Sequence, residues 1–235
     1  MIAAGIARRL GAVLGEPVPE GLSNRTWRID LDGPAALRIT QGPRGMRLSV
    51  PEEVALMEHV GDLAPTVLAH GEGWLVTRWR AAGPDDLGAT LARLHTHPVP
   101  PTLRTLTPAD ILRALPFAGP LAILRPHVQA TLDALGRVPH CLCHQDLTPG
   151  NTRGTWLLDW EYAACGDPRF DLHTVLSWVG DGRQHAFLAA YHAAGGPARP
   201  SPVVARAARL IEAHWYAVHA TLPAGVLQRL AAEEP

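Results

Sequence analysis

The pattern of apolar residues changes once along this chain, near residue 80, and that change limits its possible folds more than any other feature. Before it, strand-like runs dominate. "NRTWRIDLDGPAALRIT" (24–40) predicts two strands around an Asp-Gly-Pro turn, a hairpin signal. "PTVLAH" and "WLVTRW" (65–70 and 74–79) predict two more, joined through Gly71-Glu72-Gly73. One helix interrupts them in "SVPEEVALMEHVGDL" (49–63): Pro51 suits its first turn, acids follow, and Val54, Met57 and Val60 have helical spacing. The opening "MIAAGIARRLGAVLGEPVPEG" predicts a short amphipathic helix broken by prolines, without the hallmarks of a signal peptide.

"RAAGPDD" (80–86) breaks this pattern, and helices follow. "DDLGATLARLHTH" sets Leu87, Leu91 and Leu94 on one face, with two acids at the positive end of the helix dipole. Segments 107–117, 119–136 and 170–232 also read as helical, and 140–164 is a strand-rich exception. The expected class is α+β, with a small strand-rich part (1–80), a larger helical part (81–235) and a ligand cleft between them.

Composition narrows the function. The 235 residues carry a net charge of −1 with scattered positive residues, so no nucleic-acid face or anionic-membrane patch is expected. No run of about 18 apolar residues suggests a membrane span. All 21 basic residues are arginine, so no mechanism here uses a lysine side chain. Cys141, Cys143 and Cys165 fit a reducing cytoplasm better than a disulfide framework. "CLCH" lacks the paired Cys-x-x-Cys spacing of strong zinc signals, and Cys141 and Cys143 read as alternating on a buried strand. No obligate protein partner is evident.

Within the strand-rich exception, "CHQDLTPGN" (143–151) is followed by "LLDWEYA". With Arg153-Gly154 as the tip of a two-residue hairpin, Asn151 lies opposite Trp156 and Asp159 opposite Thr148. Asp146, Asn151 and Asp159 then come close enough to share one small ligand. Three oxygen-bearing side chains suit a hard cation such as magnesium, which borrows further oxygens from phosphates. One carboxylate serving the metal while the other receives a proton is what phosphoryl transfer to a hydroxyl requires.

"HQDLTPGN" resembles the His-x-Asp-x-x-x-x-Asn catalytic loop of the choline kinase, thiamine kinase and aminoglycoside phosphotransferase superfamily. "LLDWEYAACGDPRFDL" resembles its metal-binding segment, so the two span 141–172 in the family's order and spacing. The resemblance implies a two-lobed protein-kinase-like fold and an ATP- and magnesium-dependent small-molecule kinase. In it Asp146 accepts the substrate proton, Asn151 and Asp159 hold magnesium, and Asp171 and His144 support the loop. It further implies Ser23 and Asn24 at the phosphates, Arg38 as the phosphate-binding cation, and Glu53 (or Glu52) as its partner. Backbone groups around Thr77, Arg78 and Trp79 would bind adenine. For the acceptor, Glu161, Tyr162 and Trp178 are expected, with Trp160 as a further aromatic face; Tyr191, Trp215 and Tyr216 have helical spacing and read first as core packing, with an acceptor face as the alternative. Aromatic faces plus an acid suit a thiamine- or choline-like cation. An aminoglycoside or sugar hydroxyl, or a kinase-shaped binding protein without turnover, is the alternative.

Overall fold

The computed structural model describes residues 2–18, 24–42, 45–81, 86–219 and 225–233. Helix α1 (Ile2–Arg9) precedes β1 (Val13–Val18), β2 (Asn24–Asp30) and β3 (Pro34–Thr40). Then follow α2 (Val50–Val60), β4 (Val67–Gly71) and β5 (Trp74–Arg78). The strands form one antiparallel sheet in the order β1-β2-β3-β5-β4. The β2–β3 hairpin runs in unbroken register from Asn24↔Thr40 to Asp30↔Pro34, and Asp32 and Gly33 take positive φ at its turn.

Strand β1 departs from the local pattern, which placed a proline-broken helix in this region, although the family resemblance of 20–29 set that loop between two strands. Pro17 cannot donate to a ladder, yet β1 tolerates it because it is an edge strand whose register shifts between Leu14 and Pro17.

The remainder is mainly helical: α3 (Leu87–Thr96), α4 (Pro108–Ala114) and α5 (Arg125–Ala134) lead to the short strands β6 (Cys141–Cys143), β7 (Thr152–Arg153), β8 (Trp156–Leu157) and β9 (Ala164–Gly166). Helices α6 (Pro168–Trp178), α7 (Asp181–Ala193), α8 (Pro202–His219) and α9 (Val226–Ala232) complete it. The expected helix over 119–136 is split: Gly119–Leu124 is 3-10 helix, and α5 restarts with Pro126 in its first turn, where a missing N–H costs nothing. No helix among the described residues is long and apolar enough to cross a membrane.

Ile6 of α1 packs on Ile29, Leu37 and Val76 against the sheet. The largest core gathers Val54, Leu56, Met57 and Val60 of α2 with Leu91, Leu94, Leu142, Leu147, Leu157, Trp160 and Leu172. Each fully buried leucine there contributes about 1.5–3 kcal/mol. The same packing therefore holds α2 and the segment 142–160 together. Leu112, Leu124 and Leu210 centre a further cluster among α4, α5 and α8.

Helices α3 and α7 approach each other through Gly88. A Cβ there would lie 2.7 Å from Phe187 O, 2.8 Å from Ala190 Cβ and 2.9 Å from Tyr191 N. Gly88→Ala is therefore expected to destabilise the protein by about 1–3 kcal/mol, despite alanine's better helix propensity. A urea midpoint unchanged or raised in this variant would contradict the close packing.

Candidate active site

Strand β6 delivers the chain to a loop suspended from α6. Asp171, fully buried, accepts the backbone N–H groups of His144 and Gln145, each at 2.7 Å. Gln145 adopts φ 67°, a left-handed conformation rare for a side chain of this kind, and its amide donates to Leu106 O at 2.6 Å. On the other side of Asp146, the Trp178 indole donates to Leu147 O at 2.8 Å. His144 Nδ1 accepts from the Asp146 N–H at 3.3 Å, and its ring lies 5.0 Å from that of Trp160. Burial lowers the His144 pKa, which keeps the imidazole neutral.

A 3-10 turn over Pro149–Asn151 folds Asn151 back onto Asp146. Its amide donates to Asp146 O at 2.7 Å and to Oδ2 at 2.9 Å. The hairpin that follows has its tip one residue later than the sequence suggested. Thr152 pairs with Leu157 and Arg153 with Trp156, so Gly154 and Thr155 form the tip. Gly154 takes φ 65°, the position that suits glycine. Asn151 consequently faces Leu158, whose N–H donates to Asn151 O at 2.8 Å, and not Trp156. Moving the tip by one residue shifts each pairing by two, which leaves every side chain on its expected face.

Asp159 is left-handed as well, at φ 61°, a conformation aspartate tolerates better than most. The Arg38 guanidinium bridges it to Glu53: Nη1 donates to Asp159 Oδ1 and, at 2.9 Å, to Glu53 Oε1, while Nη2 donates to Glu53 Oε2. Burial works against the charge on Arg38, but Glu53 and Asp159 outweigh it and raise its pKa. Glu52 points elsewhere, accepting from Ser49 N at 2.7 Å and Ser49 Oγ at 2.6 Å at the start of α2. The Asn24 amide donates to both Asp159 oxygens at 3.4 Å and to Glu161 Oε2 at 3.2 Å. Ser23 lies outside the described residues.

Burial, followed by the nearby Asp159 charge, pushes Asp146 up to about 7. The same two causes, in the same order, push Glu161 up to about 7. This cluster of carboxylates carries more negative charge than its surroundings balance. Together with the oxygens of Asp146, Asn151 and Asp159, that excess fits a hard divalent cation.

The structure places the remaining expected residues as follows. The hinge donors belong to the sheet: Arg78 N donates to Thr66 O at 2.8 Å and Trp79 N to Pro34 O at 2.9 Å, and Thr77 lies between Ala36 and Val67. The Arg78 side chain donates to Asp32 O at 3.0 Å, and Arg28 stacks 4.6 Å from the Trp79 ring centre. Trp160 is fully buried, so its ring offers no face to an acceptor, while Tyr191 is fully buried as its helical spacing suggested. Glu161 is 2% exposed and turned toward Asn24 and Arg47, the latter at 3.6 Å. Tyr162 is half-buried, and burial followed by Glu161 pushes it up to about 12. Trp178 supports the loop through its N–H, so Trp178→Phe is expected to cost about 0.5–1.5 kcal/mol. An unchanged denaturation midpoint would rule out that support.

Arg47 and His95 went unnoticed in the sequence. Arg47 reaches Glu161 and donates to Gln41 O at 2.7 Å. His95 stands beside Asp171, with Nε2 3.3 Å from its carboxylate and Nδ1 2.8 Å from the Tyr191 hydroxyl. No local pattern distinguishes either from an ordinary surface residue.

A small antiparallel sheet followed by a helical part, with a loop hung from α6 beside it, is the architecture of kinase-like phosphotransferases. A choline/ethanolamine kinase family protein from Mesorhizobium loti superposes with a TM-score of 0.64 at 21% identity, covering 100% of this chain and 90% of that one. A macrolide 2'-phosphotransferase from Brachybacterium faecium gives 0.60 at 23% identity, covering 100% and 98%. The chain belongs to the phosphotransferase enzyme family, whose sequence profile matches residues 15–207. A thiamine kinase from Salmonella paratyphi B is 32% identical over 156 residues, which cover 60% of this chain and 56% of that protein. The chain thus matches little more than half the length of this curated relative.

Proposed function

We propose that the protein transfers the γ-phosphoryl group of ATP, with magnesium, to an alcohol of a small thiamine- or choline-like molecule. Residues 1–80 form the nucleotide-binding lobe in this reading, and 81–235 carry the catalytic loop and acceptor site. The observation that carries it is the convergence of Asp146, Asn151 and Asp159 with an Arg38–Glu53 pair brought from the sheet and α2.

Asp146 orients the acceptor hydroxyl and takes its proton. A carboxylate raised to about 7 suits a proton acceptor near neutral pH. The Asn151 amide holds one Asp146 oxygen in place and leaves its own carbonyl oxygen for metal. Asp159 and Asn151 hold magnesium, which would neutralise charge on the phosphate oxygens. Arg38, held by the two-point contact of its fork with Glu53, offers phosphate the N–H groups which that contact leaves. Asn24 completes the polar wall beside Asp159. Asp171 and His144 keep the loop in shape.

The thiamine kinase match supports a thiamine-like acceptor. The burial of Trp160 and Tyr191 removes two aromatic faces from the case for a cationic one, so a sugar or aminoglycoside hydroxyl is the second reading. The test is magnesium-dependent ADP release across thiamine, choline, ethanolamine, simple sugars and an aminoglycoside, with Asp146→Asn as the blank. Acceptor-stimulated release by the unaltered protein alone supports the proposal and chooses the branch. ATP binding without release under any acceptor supports a non-catalytic binding protein instead.

A further inference from the structure

Next to Asp171, which holds the catalytic loop, the fold assembles ligands that are far apart in sequence. One ring nitrogen of His95 and the sulfurs of Cys141 and Cys143 all lie within 4.8 Å of one another. Cys141 and Cys143 alternate along β6 and so share one face of it, whereas Cys165 pairs with Leu142 and lies on the other. We propose that His95, Cys141 and Cys143 form a binding site for one thiophilic divalent cation of the zinc class, separate from the magnesium-type site at Asp159.

The sulfur spacing fits coordination. Zinc–sulfur bonds of about 2.3 Å at a tetrahedral angle place two sulfurs about 3.8 Å apart, and the two Sγ atoms are 3.8 Å apart. A disulfide fits less well. Residues two apart on a strand have Cα atoms about 6.6 Å apart, near the upper end of what disulfides span. The histidine is already held as a metal-bound imidazole usually is. Asp171 can only accept from Nε2, which leaves the Nδ1 lone pair, now accepting from the Tyr191 hydroxyl, for a cation. That hydroxyl also accepts from Ala198 N at 3.1 Å, so it remains anchored when its proton turns away. Half-buried Cys141 provides the entry path. Because Asp171 also holds the His144 and Gln145 N–H groups, a cation on His95 would brace the catalytic loop.

The site rests on these contacts and not on the phosphotransferase reading, so its test does not need turnover. Reduced, chelator-treated full-length protein is titrated with Co²⁺ and then with Zn²⁺ against a chromophoric chelator. One equivalent of Co²⁺ should give a thiolate-to-cobalt charge-transfer band, and Zn²⁺ should displace it and raise the unfolding temperature. Cys141→Ser, at a half-buried position, should keep the fold, lose the band and bind Zn²⁺ at least about 100-fold more weakly, as loss of a ligand should exceed loss of a supporting contact. Cys165→Ser should leave both unchanged. Co²⁺ binding without a charge-transfer band, or a band that survives in Cys141→Ser, would overturn the proposal. Loss of two free thiols on mild oxidation of the metal-free protein, with no affinity for Zn²⁺ before it, would replace the metal site by a disulfide.

Discussion

Asp146→Asn is expected to lower phosphoryl transfer by about 10²–10⁴-fold, the usual contribution of a positioned general base, while leaving Mg·ATP affinity within a few-fold of the unaltered protein. The substitution keeps the size of the side chain and an oxygen for the Asn151 amide, which donates to Oδ2 at 2.9 Å. It removes only the ability to take a proton. Asp159→Asn should behave differently. Asp159 is the carboxylate that Arg38 and Asn24 both reach, and in the proposed site it is the charged metal ligand. Its loss should raise the dissociation constant for Mg·ATP itself, and the defect should shrink as magnesium is raised. Equilibrium binding of nucleotide, measured alongside single-turnover transfer, separates the two. Equal loss of ATP affinity in both variants would sink this division of roles.

The second large effect concerns Asp171. Its carboxylate is fully buried, accepts two backbone N–H groups at 2.7 Å and faces His95 Nε2 at 3.3 Å. Asp171→Ala would orphan both backbone donors, that of His144 in a fully buried position and that of Gln145 in a partly buried one. Each unsatisfied group costs about 1–3 kcal/mol, and loss of a buried charged acceptor belongs at the upper end. A total of about 3–5 kcal/mol is expected, a large share of the roughly 5–15 kcal/mol that keeps a domain folded. Urea denaturation measures it, and a loss below about 1 kcal/mol would show that the loop is held by other means. Asp171→Asn keeps one acceptor oxygen and should fold. In that variant the transfer rate should fall more than ATP affinity, because the loop that aims Asp146 is loosened while Asp159 and Arg38 stay in place.

Much of the architecture was legible because it is written locally. Strand and helix periods, the Asp-Gly-Pro turn and the spacing from His144 to Asp159 all lie within short windows, where side-chain period alone sorts the elements. The choice of Glu53 over Glu52 came from the family resemblance, in which Leu56 and Met57 pack three and four positions later. Leu56 and Met57 place Glu53 on the buried face of α2, and the structure brings that carboxylate, not its neighbour, to Arg38. Strand β1 was missed by the local pattern because Pro17 argues against a strand wherever the edge position is unknown. The hairpin tip was misplaced because a two-residue turn can form at either Arg153-Gly154 or Gly154-Thr155, with Gly154 at a positive-φ position in both, and only the pairing of Arg153 with Trp156 separates them.

By itself, then, the sequence determined the α+β order of elements, the phosphotransferase-type loop and the residues that could do its chemistry. Tertiary structure alone decided which of them meet. Arg38 and Asp159 are 121 residues apart, and Asn24 and Glu161 137 apart, and their contacts depend on the core that packs α2 against 142–160. The same packing buried Trp160 and Tyr191, turned the Trp178 N–H onto Leu147 O and brought His95 to Cys141 and Cys143. Periodicity encodes which face of an element is buried, but what that face is buried against is fixed only when the elements dock.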